Sequence, residues 1–164
     1  MPDSLAAPEL PITTQAMRAL QARLASITRA NGYHTDLGLS VWRGFWILAL
    51  GARQHVPILA LQSDTERPSN TRQNRAILSA DARLVLVVDA LPRNEDDATA
   101  GETALEAGLA DLRRCLLMDQ RDDLSRVLKH DGLTLGAAEY ALAEDSRYAL
   151  ASMPVTMECI EHYT

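Results

Sequence analysis

The chain has 164 residues, of which 47% are hydrophobic and 23% are charged. This length and composition predict one folded domain, residues 1–164, and exclude both a disordered chain and a multi-domain machine. The formal charge of −6 argues against a domain whose main activity is binding nucleic-acid backbone, because an acidic surface repels phosphate.

The sequence disfavours membrane insertion, secretion and disulfide formation. The longest uninterrupted apolar run, Phe45 to Leu50, has six residues, whereas a helix needs about 20 to cross a bilayer. The N-terminus has no basic region followed by an apolar one, so we expect the protein to work where it is synthesised, in the cytoplasm. Cys115 and Cys159 are the only two cysteines, and we interpret both as small buried thiols without a redox role.

The N-terminal segment 1–11 is rich in Ala and Pro and has no periodicity, which predicts an extended arm. A first helix is predicted to follow, capped by Thr13 or Thr14 and ended by the left-handed stop Asn31-Gly32. The helix is expected to be amphipathic, because its apolar residues recur at helical spacing. These residues are Met17, Leu20, Leu24 and Ile27.

Residues 33–42 alternate between apolar and polar side chains, with Leu37, Leu39 and Val41 on the apolar side. This period of two predicts a half-buried strand. The apolar run 45–50 that follows is too short for its periodicity to distinguish a strand from a short helix, so both alternatives stay open.

The middle of the chain contains two predicted buried strands. Pro57 precedes the apolar run 58–61, and residues 83–88 form a β-branched run that is apolar on both faces. We therefore expect the second run to be a central strand that is covered on both sides. The polar segment between the two runs, 62–82, predicts a long loop or a hairpin arm that becomes ordered against a partner. A surface insertion without a function is the alternative.

A second amphipathic helix is predicted to begin at Thr99. Asp111 lies off its apolar face, so we expect that side chain on the surface. Residues 124–135 are predicted to form a strand region. A turn at Glu144-Asp145-Ser146 is predicted to lead into the alternating segment 148–163, which completes a long C-terminal hairpin. The apolar face of the second helix consists of Leu105, Leu109, Leu112 and Leu116.

The predicted order of elements is a helix, strands, the long arm, a strand, a helix and strands. The strands occur in adjacent runs and do not alternate strictly with helices. The sequence therefore predicts an α+β fold, in which a mostly antiparallel sheet packs with two main α-helices in a single domain.

No catalytic motif is recognised in the sequence, which contains neither a glycine-rich phosphate loop nor a nucleophile elbow. His34 and Asp36 are two positions apart and supply at most half of a metal site. His55 and His130 add no recognisable ligand spacing. We therefore predict no metal, no cofactor and no catalytic residue. A small enzyme or ligand-binding domain that uses His34, Asp36 and Asp81 is kept as an alternative.

Two groups of residues have the composition of a protein interface. Three of the seven aromatic residues lie within residues 42–46, and aromatic and arginine side chains are enriched at binding hot spots. The arm 62–82 carries three arginines. A buried core cluster is the competing interpretation of the aromatic group. The candidate interface residues are Trp42, Arg43, Phe45 and Trp46 in the first group and Arg67, Arg72 and Arg75 in the second.

One segment carries a family resemblance. Residues 30–38, Ala-Asn-Gly-Tyr-His-Thr-Asp-Leu-Gly, are followed by Val-Trp-Arg-Gly at residues 41–44. This sequence resembles the tail terminator (tail completion) proteins of long-tailed bacteriophages. In that family an amphipathic N-terminal helix leads into an Ala-Asn-Gly-Tyr-x-Thr-Asp-x-Gly signature and then into Val-x-Arg-Gly. The likeness extends more loosely over residues 12–163, whereas the aromatic run after Gly44 and the arginine-bearing arm depart from the family pattern.

The resemblance implies a structural virion protein without enzymatic activity, located at the head-proximal end of the phage tail and assembled in the host cytoplasm. Proteins of this family form rings, typically of six copies, that cap the tail tube, stop its polymerisation and provide a docking face for the neck or head connector. The implied partners are further copies of the chain, the tail tube protein and the neck proteins. DNA would pass through the lumen without specific binding, and no membrane is involved. A neck or head-closure protein is the near alternative.

Overall fold

A β-sheet with helices on both faces forms the framework of the protein. The computed structural model describes residues 9–52, 55–91, 98–118, 121–143 and 147–163. Within these ranges the helices are α1 (Ile12–Leu24), α2 (Trp46–Gly51), α3 (Ala100–Leu117) and α4 (Asp123–Val127). None of these helices has both the length and the apolar character needed to cross a membrane. The strands are β1 (Val41–Arg43), β2 (Ile58–Arg72), β3 (Arg75–Asp89), β4 (Leu128–Leu135), β5 (Glu139–Leu142) and β6 (Tyr148–His162).

The strands form one sheet, which is six-stranded within the described ranges. Its order is β1-β2-β3-β6-β4, and β5 also pairs with β6. The pairing of β1 with β2 is parallel, and the other pairings are antiparallel. Two of the four described helices, α1 and α3, are long. The predicted single-domain α+β fold with a mostly antiparallel sheet and two main helices is therefore confirmed.

Strand β3 is the central strand that the run 83–88 predicted. Its side chains alternate between two apolar clusters, with Leu84 and Leu86 on the side of α1 and α3 and with Val85 and Val87 on the side of α2. All four side chains are buried. A strand that is covered on both faces must be apolar on both faces, which explains the continuous run.

The first helix is shorter than predicted. It ends at Leu24, and Thr13 and Thr14 lie within its first turn instead of capping it. The backbone N–H of Ile27 then donates to the Leu24 carbonyl at 3.1 Å, and this tighter turn keeps the Ile27 side chain in the core. The stop predicted at Gly32, whose φ is 81°, ends a separate short 3₁₀ turn.

The strand predicted over residues 33–42 is wrong for most of its length. Residues Leu37–Ser40 form a 3₁₀ turn, and β1 is limited to Val41–Arg43. Leu37 is buried, whereas Leu39 is 77% exposed, so the alternation in the sequence does not mark one face of a strand. The apolar run that could be a strand or a helix is the helix α2.

The segment 62–82 belongs to a hairpin. Strands β2 and β3 each have 15 residues and stay paired up to Arg72 and Arg75, which flank the turn. Asn74 in this turn has a φ of 66°, a left-handed conformation that asparagine tolerates well. We call residues 62–82, the outer part of this hairpin, the arm.

The alternating strand predicted over residues 148–163 is confirmed as β6. Strand β5 pairs with it antiparallel, with Leu142 opposite Ala149, as expected for a C-terminal hairpin. The predicted turn, residues 144–146, lies outside the described residues. Strand β6 also pairs with β3 along its whole length, and its alternate residues from Ala149 to Cys159 are buried. The strand predicted from residue 124 begins only at Leu128, because α4 precedes it. Residues 1–8 of the predicted N-terminal arm lie outside the described residues.

Candidate functional site

A buried side chain of α3 holds the loop that carries the phage-protein resemblance, residues 30–38. The carboxylate of Asp111 accepts the backbone N–H of His34 at 2.9 Å, the backbone N–H of Thr35 at 2.8 Å and the Thr35 hydroxyl at 2.7 Å. Asp111 is fully buried, so its predicted position on the surface is wrong. These charge-assisted hydrogen bonds take the place of the strand pairing that the sequence predicted here.

Further contacts join the same loop to both long helices. The guanidinium of Arg114 lies 4.9 Å from the ring centroid of Tyr33 and donates a hydrogen bond to the Gly32 carbonyl. Gly38 packs against the end of α1, where a Cβ atom would lie 2.4 Å from the carbonyl oxygen of Ala25. No larger residue fits this position without moving the backbone. The signature residues therefore serve the architecture by connecting α1 to α3.

The three residues of the alternative enzyme site, His34, Asp36 and Asp81, do not lie in one cavity. His34 and Asp36 line a cavity of about 520 Å³ beside the start of α3, whereas Asp81 lines a different cavity. The Asp36 carboxylate accepts the backbone N–H of Arg29 at 2.8 Å and lies 3.7 Å from its Nε. Among the described residues, no group of three or more His, Cys, Asp or Glu side chains is placed to hold a metal ion.

The aromatic group at residues 42–46 is divided between the core and the surface. Trp42 and Trp46 are half-buried and pack against the apolar cluster that contains Ala49 of α2. Phe45 is 61% exposed, and Arg43 is also exposed. Trp42 and Trp46 therefore contribute to the core, whereas Phe45 and Arg43 lie on the surface.

An exposed apolar surface, which we call the apolar platform, surrounds α2. Phe45, Ile47, Leu48 and Leu142 form it, and each is between 58% and 64% exposed. A contiguous apolar patch of this kind is typical of a protein contact surface, because water covers it at a free-energy cost.

A groove of about 650 Å³ lies beside the platform, between α2 and strands β5 and β6, and none of the described residues that line it is charged. In the part of the chain that the structure describes, Trp42 Nε1 and Gln62 Nε2 are buried without a hydrogen-bond partner. Gln62 lines the groove together with Phe45, Trp46, Ile47, Leu50, Leu142, Ala143, Tyr148 and Leu150.

Asp81 lies on β3 in the arm and joins this strand to β2 and to β6. Its carboxylate accepts hydrogen bonds from the Thr65 hydroxyl at 2.7 Å, the Arg67 guanidinium at 3.0 Å and the Thr156 hydroxyl of β6 at 2.7 Å. The bond from Thr65 is the main reason that the pKa of Asp81 lies below its usual value, and the bond from Thr156 follows. Arg67, one of the predicted interface residues, is therefore engaged within the arm itself.

The end of the arm presents a row of basic side chains, which we call the cationic tip. Arg72 is the direct cross-strand neighbour of Arg75, and Arg75 is the direct neighbour of His162 on β6. All three are exposed, and no ion pair connects any of them to another described residue. Direct cross-strand neighbours share one face of a sheet, so the three side chains stand side by side.

A buried ion pair fastens α4 to α1. Arg23 is 7% exposed, and its guanidinium contacts both carboxylate oxygens of Asp122, with Nε donating at 2.6 Å. Asp122 also caps α4 by accepting the backbone N–H of Ser125 at 3.0 Å. The hydrogen bonds from Arg23 are the main cause that holds the pKa of Asp122 below its usual value.

Both cysteines are buried thiols, as predicted, and they are not joined in a disulfide. Burial raises the pKa of Cys115 and raises the pKa of Cys159 to about 11. Since the thiolate is the reactive form, we expect both side chains to react slowly in the folded protein.

The structure separates the two predicted groups of interface residues. The aromatic group lies where β1 pairs with β2, near Leu61, whereas Arg72 and Arg75 lie at the far end of the arm. Sequence reasoning missed Asp111, because only the packing of the loop on α3 buries it. It also missed Ile47 and Leu48, although a short helix without any polar residue was a usable signal for an exposed apolar face.

No protein-family model and no curated protein matches this sequence. Among solved structures, the chain is similar to a chain in the virion of the native gene transfer agent (GTA) particle, with a TM-score of 0.62 and 14% sequence identity. The similarity covers 93% of this chain and 99% of that chain. The two chains therefore share one fold over nearly their whole lengths.

Proposed function

We propose that this chain is a structural protein of a phage-like virion, and specifically the tail terminator. In this role a ring of six copies caps the head-proximal end of the tail tube, stops its polymerisation and provides the docking face for the neck or head connector. The observation that carries the proposal is the fold shared with a chain of a virion particle, which extends over 93% of this chain.

The loop 30–38 supports the finer role. Its residues resemble the tail terminator signature, and the same residues make the contacts on which this architecture depends. Asn31 donates to the Ser26 carbonyl at 2.8 Å, Thr35 is bound by Asp111, and Asp36 accepts the N–H of Arg29. The signature therefore belongs to the framework of the subunit, as expected for a protein that acts through its shape.

The apolar platform supports assembly. In a ring, each copy contacts its neighbours through two different surfaces, and the contact limits its own growth when the ring closes. A groove whose described lining residues are all uncharged, beside exposed Phe45, Ile47 and Leu48, is suited to such a contact, because association removes apolar surface from water. We propose that the platform, with Trp42, Arg43 and Trp46 at its base, forms a ring or tube contact.

The charge of the chain is consistent with a channel for DNA. Six copies at −6 each would carry −36, and acidic side chains along a lumen would keep passing DNA from binding the wall. We propose that the DNA passes through the ring without specific binding. The second predicted contact is the arm, which carries Arg67, Arg72 and Arg75. In this proposal the arm binds neighbouring proteins and does not bind DNA.

Electron microscopy of the purified chain, alone and mixed with tail tubes that lack a terminator, tests the proposal. We expect rings, bound at one end of each tube, and tubes that no longer elongate when tube protein is added. The variant pair Ile47→Asp and Leu48→Asp should weaken the rings, whereas Leu91→Asp, which also replaces an exposed leucine, should leave them intact.

Two other outcomes would point to the alternatives. Binding to isolated heads or connectors without any effect on tube growth would favour a neck or head-closure protein. A chain that stays monomeric in the presence of tubes and binds a small molecule at His34 and Asp36 would overturn the structural role.

A further inference from the structure

We propose that the cationic tip of one copy binds the exposed carboxylates of Glu102 and Glu106 on α3 of the next copy. The inference rests on the proposed ring, since it assigns one of the contacts through which the ring closes. The partner is therefore a second copy of this chain, and the contact joins two different surfaces.

The cationic tip has no ion-pair partner among the described residues of its own chain. Arg72 and Arg75 stand directly opposite each other, and like charges in this position destabilise a hairpin. His162 continues the row on the third strand. An acidic surface brought against this face would remove the repulsion and would form charge-assisted hydrogen bonds with the guanidinium groups.

A complementary pair of charges lies on α3. Glu102 and Glu106 are four residues apart on the helix, both are exposed, and like charges at this spacing repel each other. No ion pair of either carboxylate is found among the described residues. Within the described part of the chain, a basic pair and an acidic pair are thus both without an ion-pair partner, and each is the charge complement of the other.

The fold prevents the two pairs from meeting within one copy. Strand β3 runs for 15 residues from Arg75 to Asp89, which corresponds to about 45 Å at about 3.3 Å per residue. The first turn of α3 packs at the far end of this strand, where a Cβ on Gly101 would lie 2.6 Å from the carbonyl oxygen of Ala90. The basic and acidic pairs thus lie at opposite ends of β3, as a head-to-tail contact requires.

Charge also favours a second copy over DNA as the partner. The tip offers only three basic groups on a chain with a net charge of −6, whereas binding to the DNA backbone normally relies on a broad basic surface. Neighbouring copies in a ring also face each other at a high effective concentration, which suits a contact built from a few exposed charges.

Charge reversal on each surface tests the contact. The first variant carries Arg72→Glu with Arg75→Glu, and the second carries Glu102→Arg with Glu106→Arg. The control carries Arg18→Glu with Arg126→Glu, two exposed arginines on α1 and α4. Circular dichroism confirms folding, and electron microscopy with light-scattering mass measurement reports ring formation in solution and at tube ends.

We expect each reversed variant alone to lose its rings and the control to keep them. An equimolar mixture of the two reversed variants should restore rings, because every tip then meets a helix of opposite charge and the two chains alternate. A single chain that carries all four reversals should also form rings. High salt should weaken the wild-type contact, because the charges are exposed.

The inference is overturned if either reversed variant forms rings like the wild type, or if neither the mixture nor the fourfold variant restores them. If the tip variant forms rings that no longer bind tubes, the partner of the tip is the tube protein. If its rings lose only the retention of DNA, the partner is DNA. A wild-type chain that forms no rings in solution or at tube ends would overturn the proposed function itself.

Discussion

Asp111 and Thr35 are joined twice, through the Thr35 backbone N–H at 2.8 Å and through its hydroxyl at 2.7 Å. The carboxylate lies on α3 and is fully buried, whereas the loop that it binds follows α1. One side chain thus connects the two long helices through the segment that resembles the phage signature.

Replacing Asp111 with asparagine should lower the free energy of unfolding by about 3 kcal/mol. The amide loses the negative charge and leaves buried N–H donors poorly paired, and each such donor costs about 1–3 kcal/mol. Urea unfolding followed by circular dichroism measures the change. Glu106→Gln, an exposed position on the same helix, should change stability by less than about 0.5 kcal/mol. Equal stabilities of the two variants would contradict the buried role.

The Arg23–Asp122 ion pair should make stability depend on pH in the acid range. The folded pKa of Asp122 is lowered, so its contribution is fully present above the unfolded value of about 3.9 and is lost as the pH falls through the lower folded value. Asp122→Asn removes the charge while asparagine remains a good helix cap. The stability difference between wild type and this variant should therefore shrink below about pH 4.

Unfolding curves at several pH values measure this difference. Asp123→Asn is the matched control, because the neighbouring carboxylate is 80% exposed. If the difference in unfolding free energy between wild type and Asp122→Asn stays constant with pH, the charge of the ion pair contributes nothing to stability.

Removing the Asp81 carboxylate should loosen the arm without unfolding the core. Asp81→Ala breaks the bonds to Thr65, Arg67 and Thr156, and we expect faster amide hydrogen exchange along residues 63–72 and a stability loss of about 1 kcal/mol. Exchange in α1 and α3 should not change. Asp64→Ala, which breaks only the exposed contact with Arg83, is the control, and an equal effect of the two variants would refute the role of Asp81.

The two native thiols should resist alkylation in the folded protein. With a pKa of about 11 for Cys159, only about one thiol in a thousand is ionised at pH 8, and burial further limits access. Mass spectrometry after treatment with iodoacetamide should detect modification only in denaturant. A cysteine placed at exposed position 117 by Leu117→Cys should react readily. Rapid native labelling of Cys159 would show that its strand opens often.

The sequence by itself determined the fold class and its apolar framework. A helix that is buried on one face has apolar residues at helical spacing, as in α1 and α3. A strand that is buried on both faces is a continuous apolar run, as in β3. Both patterns are local, so a single sequence contains them. The resemblance to phage tail terminator proteins is also visible in the sequence alone, because the segment 30–38 that carries it is contiguous in the chain.

Only the tertiary structure decided the remaining features. Asp111 was expected on the surface, and residues 33–42 were expected to form a strand. The carboxylate that binds this loop comes from a residue more than seventy positions away, and local periodicity carries no information about such a partner. The separation of the aromatic group from the arm arginines likewise follows from strand register. Contacts between distant residues arise from packing, so the surfaces available for assembly become visible only once the sheet and its helices are placed together.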